Sequence, residues 1–80
     1  MPRYFFNLCK DGRPPDLAGA ELQDLAHARR EASRQMAEEM KAQTDQFLQD
    51  EEWRIEISDE TGLILFTVFG TAVESAAGRG

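Results

Sequence analysis

The chain starts with MPRYFFNL, a stretch in which large apolar side chains recur at every second position. A period of two, together with a high aromatic content, predicts a β-strand. We expect Tyr4, Phe6 and Leu8 to lie under a helix. Phe5 and Asn7 would then lie on the opposite face of the sheet, so the consecutive aromatic residues need separate explanations.

Turn-forming residues follow this strand. An Asp-Gly pair at 11–12 can supply the positive φ angles of a tight turn, and the two prolines at 14–15 disfavour a helix and remove two backbone donors. We therefore expect a short second strand, at an edge of the sheet, between Asp16 and Leu22.

A long amphipathic helix is predicted from residue 25 onward. Apolar side chains recur there every three or four residues, and the remaining positions are mostly charged. Asp24 is suited to be the N-cap, because its short carboxylate can accept the free N–H groups of the first turn. We place the end of the helix near Gln43 and leave open one more turn, to Leu48. The stripe consists of Leu25, Ala28, Ala32, Met36 and Met40, continued by Gln43 and Phe47.

Two further strands are predicted to form a hairpin. After an acidic connector at Gln49–Glu52, the segment WRIEIS alternates, with Trp53, Ile55 and Ile57 on one side. DETG then predicts a turn with Gly62 in the left-handed conformation. LILFTVF, which follows it, is the most hydrophobic strand of the chain.

The length of the hairpin loop decides which face of the last strand is buried, because side chains alternate between the two faces. A three-residue loop, Glu60 to Gly62, pairs Ile57 with Leu65 and turns the odd-numbered side chains toward the helix. A four-residue loop turns the even-numbered ones there instead. We favour the three-residue loop. The odd-numbered set is Leu63, Leu65, Thr67 and Phe69, and the even-numbered set is Ile64, Phe66 and Val68.

In either register the outer face of the sheet, where Phe5 should lie, carries an apolar patch, which a soluble monomer should not leave in contact with water. Our hypothesis is that a homodimer or the docking of another protein covers it. The alternative is that the C-terminal tail or the acidic connector folds over this face. The predicted interface consists of Phe5, Asn7, Ile64, Phe66 and Val68.

These elements follow one another in the order β-β-α-β-β. The expected fold class is α+β: a two-layer sandwich in which one long helix packs on a small, mostly antiparallel sheet of three or four strands. We expect residues 1–70 to form a single domain. Residues 71–80 would form a flexible tail, after a short helical turn around Thr71–Ser75.

Composition argues against several classes of partner. The chain has 15 acidic and 9 basic residues, a formal net charge of −6 and no concentrated basic stretch, which disfavours nucleic-acid binding. No apolar run approaches the ~18 residues that span a bilayer, and the N-terminus lacks the features of a signal peptide. We expect an acidic, cytoplasmic protein with no membrane contact. Its single cysteine, Cys9, cannot form an internal disulfide.

No residue pattern indicates catalysis, a cofactor or a metal site. His27 is expected at the surface, Cys9 has no assignable base, and the acidic runs lack the ligand spacing of a calcium loop. We therefore expect a non-enzymatic interaction or regulatory module. The alternative is a small-molecule or cation-binding domain with a pocket near the acidic connector and Trp53.

The chain resembles a family of short bacterial proteins. The shared features are the MPRYFF start, a G-x-x-L-x-D-L-x-x-A-R pattern leading into the helix, here GAELQDLAHAR, and a D-E-x-G hairpin, here DETG. The family is one of unknown function, so the resemblance implies an architecture and no activity. A second similarity, limited to the layout of Asp16–Met36, is to antitoxin domains of the HicB type, in which an Ala- and Glu-rich helix lies beside a small sheet. The DNA-binding segment added in those domains has no counterpart here.

Overall fold

Helices cover one face of a four-stranded sheet in the computed structural model, which describes residues 1–10 and 12–79. The α+β fold and the order β-β-α-β-β are confirmed, with a second short helix added. Asp11, half of the predicted Asp-Gly turn, lies outside the described residues. The elements are β1 (Arg3–Cys9), β2 (Ala20–Glu21), α1 (Leu25–Ala42), α2 (Thr44–Asp50), β3 (Glu52–Ser58), β4 (Ile64–Thr71) and a 3₁₀ turn (Ala76–Arg79).

The sheet has the strand order β2-β1-β3-β4, and its neighbouring strands are antiparallel. The first and third strands along the chain, β1 and β3, are therefore central, whereas β2 and β4 are edges. The prediction of a short edge strand between Asp16 and Leu22 is confirmed. The second edge is much longer, because β4 runs over eight residues.

The core lies between the helices and the inner face of the sheet. As predicted, the alternate residues of β1 and β3 are buried, and Ile55 and Ile57 retain 1% and 0% of their exposure. Burying a side chain of this size contributes about 2–3 kcal/mol each. The buried set is Tyr4, Phe6, Leu8, Ala28, Ala32, Met36, Phe47, Trp53, Ile55 and Ile57.

The helix begins where its sequence predicts. Asp24 is the N-cap, and its Oδ1 accepts the backbone N–H of His27 at 3.0 Å. Ala28 and Ala32 are fully buried. Because alanine has only a methyl group, it lets the helix axis lie close to the sheet.

The region after the helix differs from the prediction. The chain breaks at Gln43 and resumes as α2, so the first two residues of the predicted acidic connector, Gln49 and Asp50, are helical. Phe47 explains the break: it turns into the core and meets the Trp53 ring edge-on, with ring centroids 5.3 Å apart. A single left-handed residue, Glu51 with φ 68°, then links α2 directly to β3.

The hairpin loop has the predicted length, but the predicted register is wrong. The Asp59 N–H donates to the Leu63 carbonyl at 3.0 Å, which encloses a loop of three residues ending at Gly62, with φ 88°. A β-bulge follows at once. Ser58 pairs with Ile64, whereas Ile57 pairs with Phe66 and not with Leu65.

The bulge inserts one residue and so moves every later side chain of β4 to the other face. Phe66 and Val68, predicted on the outer face, pack against the core, and Phe69 is turned outward. Gly70 now faces α1, where a Cβ would lie only 3.2 Å from the Met36 Sδ and 3.3 Å from the Met40 Sδ. The bulge therefore places Gly70, and not the large side chain of Phe69, in the narrow space beside Met36 and Met40.

Candidate interaction surface

The outer face of the sheet is not the continuous apolar patch that the sequence predicts. Its middle row runs Asn7, Glu56 and Thr67 across three strands, and the next row includes Arg54. These side chains are polar or charged. Apolar side chains remain only toward the two sides of this face.

Phe5, on the first side, is covered by the chain's own loop. A Cβ built on Gly19 would lie 2.9 Å from the Phe5 ring and 2.9 Å from the Tyr4 carbonyl oxygen, so the loop rests directly on this ring. Neither the tail nor the acidic connector was needed to cover it. Phe5 is half-buried, so less of its side chain is exposed to a partner than the sequence suggests. Its role in an interface stays a prediction.

A carboxylate organises the same loop. Asp16 Oδ2 accepts the Phe6 N–H at 3.0 Å, and its Oδ1 accepts those of Ala18 and Gly19 at 3.2 and 3.0 Å. Burial raises the pKa of Asp16, but these three N–H donors outweigh it, so the pKa lies below its ordinary value. The Asn7 side chain accepts the Asp16 N–H at 2.8 Å. Asn7, predicted at an interface, thus has a structural use in the monomer.

Cys9 lies on the outer face in a setting that lowers the reactivity of its thiol. Burial, then the hydrogen bond to Glu56 and its charge, raise the pKa of the Cys9 thiol above its ordinary value. The Sγ lies 3.4 Å from the Glu56 Oε1. A thiol that stays protonated at neutral pH is a poor nucleophile.

The second side of the sheet, at β4, is the exposed one. Seven large hydrophobic side chains are exposed in the described part of the chain, and four of them lie on β4 or within two residues of it. They are Leu63 (62%), Ile64 (51%), Phe69 (59%) and Val73 (84%). Ile64 was predicted on the outer face, whereas Phe69 was predicted inside. The bulge that exposes Phe69 has no signature in the residue pattern.

The free edge of β4 also exposes backbone groups. The Ala72 N–H donates to the Glu51 carbonyl at 2.7 Å. In an antiparallel pair, residues bonded to the neighbouring strand alternate with residues whose N–H and C=O point away from it. Counting back from Ala72, the groups of Thr67, Phe69 and Thr71 point away from β3. They are therefore available to another strand.

A groove lies beside β4 on its helical side, near the start of the strand. It encloses about 530 Å³ between α1 and Phe66. Arg29 stacks there, with its guanidinium carbon 4.4 Å from the centre of the Phe66 ring. Arg30 and Ser33 complete this wall. We refer to it as the basic groove.

A second groove lies beside the same strand near its end. It encloses about 440 Å³ between α2 and Ala72, and it includes Leu48 and Val73. Its charged side chains are Glu51 and Glu74. We refer to it as the acidic groove. Phe66 and Ala72, which border the two grooves, are equally far from Phe69 along the chain.

A further cleft, of about 560 Å³, lies where the sequence predicts a pocket, beside Trp53 and α2. Its polar groups already bond one another. Trp53 Nε1 donates to Asp50 Oδ2 at 2.8 Å, the Lys10 ammonium lies 4.5 Å from the Trp53 ring centre, and Lys10 also bonds Gln43. Trp53 is buried, so the cleft offers few free groups to a ligand.

His27 and Arg34 each lie beside carboxylates at the surface of the helix. His27 Nδ1 lies 2.7 Å from Asp24 Oδ1, and Arg34 bridges Glu31 and Glu38 along the helix. Arg34 and its two partners thus lie on the charged side of the helix that the sequence predicts. Over residues 1–10 and 12–79, no three His, Cys, Asp or Glu side chains converge as metal ligands.

Comparison with known families gives a match over most of the chain. The model of the family described as Domain of unknown function (DUF6894) matches residues 3–71, from the start of β1 to the end of β4. The chain belongs to this family. The DUF6894 match includes both edges of the sheet and the loop of Asp16. No curated protein and no solved structure shows significant similarity to this DUF6894 chain. Among its described residues, no helix has the length and apolarity to cross a membrane.

Proposed function

We propose that this domain is a non-enzymatic protein-interaction module that works through β4. The observation that supports the proposal is the gathering of Leu63, Ile64, Phe69 and Val73 at one exposed edge. Uncovered apolar side chains that cluster on one strand typically mark a protein-binding surface.

The residue content of β4 supports the same proposal. Natural edge strands are usually protected by charged residues, by proline or by short length. β4 has eight residues, ILFTVFGT, without a charge or a proline. Its only protective device is the bulge, which lies at the start of the strand. The strand is thus suited to receive a partner along most of its length.

We place this association in the cytoplasm, where the lone thiol of Cys9 would stay reduced. The net charge of −6 disfavours nucleic acid as the partner. The layout similarity to HicB-type antitoxin domains would suit a binding module, and it stays a prediction.

The proposal is tested by the mass of the assembly. Native mass spectrometry and sedimentation velocity, on protein purified from its own host, should report a homodimer or a defined complex. Phe69→Lys should release the monomer, because it places a charge in the middle of the exposed apolar strand. Leu17→Lys is the matched control, since Leu17 is 85% exposed but lies before β2. A monomeric wild type, or equal loss of association in both variants, would contradict the proposal.

A second candidate function is the binding of a small molecule or a cation in the cleft of about 560 Å³ beside Trp53. A ligand that displaces Lys10 from the Trp53 ring, 4.5 Å away, would change the fluorescence of this single tryptophan. A panel of metal ions and metabolites should produce a saturable change and a higher melting temperature. An unchanged spectrum and melting temperature across the panel would remove this candidate.

A further inference from the structure

We infer that the partner of β4 is a second copy of this chain, paired antiparallel along the open edge with Phe69 on the two-fold axis. The inference rests on the proposed function and adds its partner and geometry. The two four-stranded sheets would become one continuous sheet of eight strands. This is an edge-to-edge dimer, in contrast to the face-to-face association that the sequence predicts.

Backbone geometry is compatible with this register and limits the alternatives. Thr67, Phe69 and Thr71 are the residues whose N–H and C=O groups point to the open side, as the Ala72–Glu51 bond shows by alternation. An axis at Phe69 pairs the segment from Phe66 to Ala72 with itself and leaves the bulge outside. An axis at Thr67 would bring the bulged Leu65 opposite Phe69, where the extra residue interrupts the ladder.

Side chains are compatible with the same axis. Phe69 would lie opposite Phe69 of the second copy on the outer face, and Thr67 would lie opposite Thr71 of the second copy. Aromatic pairs and Thr–Thr pairs are among the favourable cross-strand neighbours, contributing roughly 0.2–1 kcal/mol each. Because β4 has no charged residue, self-pairing brings no like charges together.

The two grooves provide charge complementarity. An axis at Phe69 places Phe66 opposite Ala72 of the second copy. The basic groove, with Arg29 and Arg30, therefore meets the acidic groove of the other chain, with Glu51. The two-fold axis repeats this contact, so it forms twice. Opposite charges in facing grooves favour one register over others and oppose the repulsion between two chains of net charge −6.

Amide hydrogen exchange tests the edge pairing. In the monomer the N–H groups of Thr67, Phe69 and Thr71 face water and should exchange fast, whereas those of Val68 and Gly70 are bonded to β3. As the protein concentration is raised from low to high micromolar, the first three should become protected and the other two should change little. A dimer that forms without this protection would show that the faces associate and not the edges. The inference would then be wrong, and the proposed function would stand if Phe69→Lys still released the monomer.

Single-cysteine variants in a Cys9→Ser background test the register. Phe69→Cys should give a disulfide-linked dimer under mild oxidation, because directly opposed residues have Cα atoms about 5.5 Å apart, within disulfide range. Thr67→Cys alone should not, since its own copy lies four residues along the partner strand, roughly 13 Å away. A mixture of Thr67→Cys and Thr71→Cys should cross-link. Cross-linking of Thr67→Cys with itself would place the axis elsewhere and overturn the inference.

The mass of the assembly formed by the wild-type protein distinguishes the remaining outcomes. If the protein forms a complex only with another chain, and Phe69→Lys abolishes it, the interaction module is supported and the second copy is excluded. If the wild type is monomeric at every concentration and binds no partner through β4, both statements fail.

Discussion

The two edges of the sheet differ in how far the chain itself covers them. At the β2 edge, β2 pairs with β1 over only two residues. Side chains of the loop and of β1 extend the pairing. Asp16 accepts the Phe6 N–H, and Arg3 donates to the Ala18 carbonyl at 2.8 Å and binds Glu21 at 3.2 Å. The β4 edge has eight residues without a charge, and no other described strand pairs with it.

Each edge strand of a sheet has unpaired backbone N–H and C=O groups, and the two edges of this sheet differ in how those groups are satisfied. An unpaired strand edge can be satisfied by polar groups of the same chain or by another chain. The loop at β2 does the first, and it also covers Phe5. Nothing in the described structure does so for Phe69. The difference is therefore informative about function, because it indicates which edge is left for a partner.

Gly19→Ala, in the loop that covers the β2 edge, should reduce the stability of the protein more than the other substitutions below. Gly19 has φ 68°, and the new Cβ would lie 2.9 Å from the Tyr4 carbonyl oxygen, which is backbone and cannot move aside. We expect a loss of about 3 kcal/mol in the free energy of unfolding, from left-handed strain together with the clash. Urea denaturation monitored by Trp53 fluorescence measures it.

Gly62→Ala is the matched control for that experiment. Gly62 also has a positive φ, 88°, but no atom lies within 4 Å of the position of a Cβ. Only the strain remains, about 1–2 kcal/mol. Equal losses in the two variants would mean that the loop does not press on the edge of β1.

Asp16→Asn, in the same loop beside β2, should reduce the stability of the protein less than Gly19→Ala does. The carboxylate uses both oxygens as acceptors, and the amide would place an NH₂ group against one of the N–H donors. We expect a loss of about 1–2 kcal/mol. Faster exchange of the Phe6 amide should accompany it, and an unchanged Phe6 exchange rate would show that this bond does not protect the edge.

The pH dependence sharpens this prediction. Because the pKa of Asp16 is lower in the folded than in the unfolded protein, its contribution is present above the unfolded value, about 3.9, and is lost as the pH falls through the folded value. The difference in stability between wild type and Asp16→Asn should be constant near neutral pH and should shrink below about pH 4. A difference that grows in acid would contradict the assigned sign.

Gly70→Ala, in the middle of β4, should have the smallest effect. Its Cβ would lie 3.2–3.3 Å from two methionine sulfur atoms, at the flexible ends of Met36 and Met40, which can shift. Alanine also restricts the unfolded chain more than glycine. The two effects oppose each other, so we expect a change within about 0.5 kcal/mol in thermal or urea unfolding. A loss as large as that of Gly19→Ala would mean that the helix packs rigidly on this strand.

Local patterns were sufficient for most of the fold. The alternation of Tyr4, Phe6 and Leu8, the capping position of Asp24 and the turn glycine at 62 all depend on neighbours in the chain, and the structure confirms them. The break at Gln43 was only partly predicted. It depends on Phe47 reaching Trp53, a contact that no local pattern contains.

The amino-acid sequence by itself determined which segments are strands and helix and how long the hairpin loop is, because periodicity, capping and turn chemistry act over a few residues. Only the tertiary structure decided which side of β4 is exposed. The bulge at Leu65 is set by what α1 can accommodate, namely Gly70 under Met36 and Met40 and not Phe69. One inserted residue thus moved the exposed aromatic from Phe66 to Phe69 and the candidate interface from the face of the sheet to its edge.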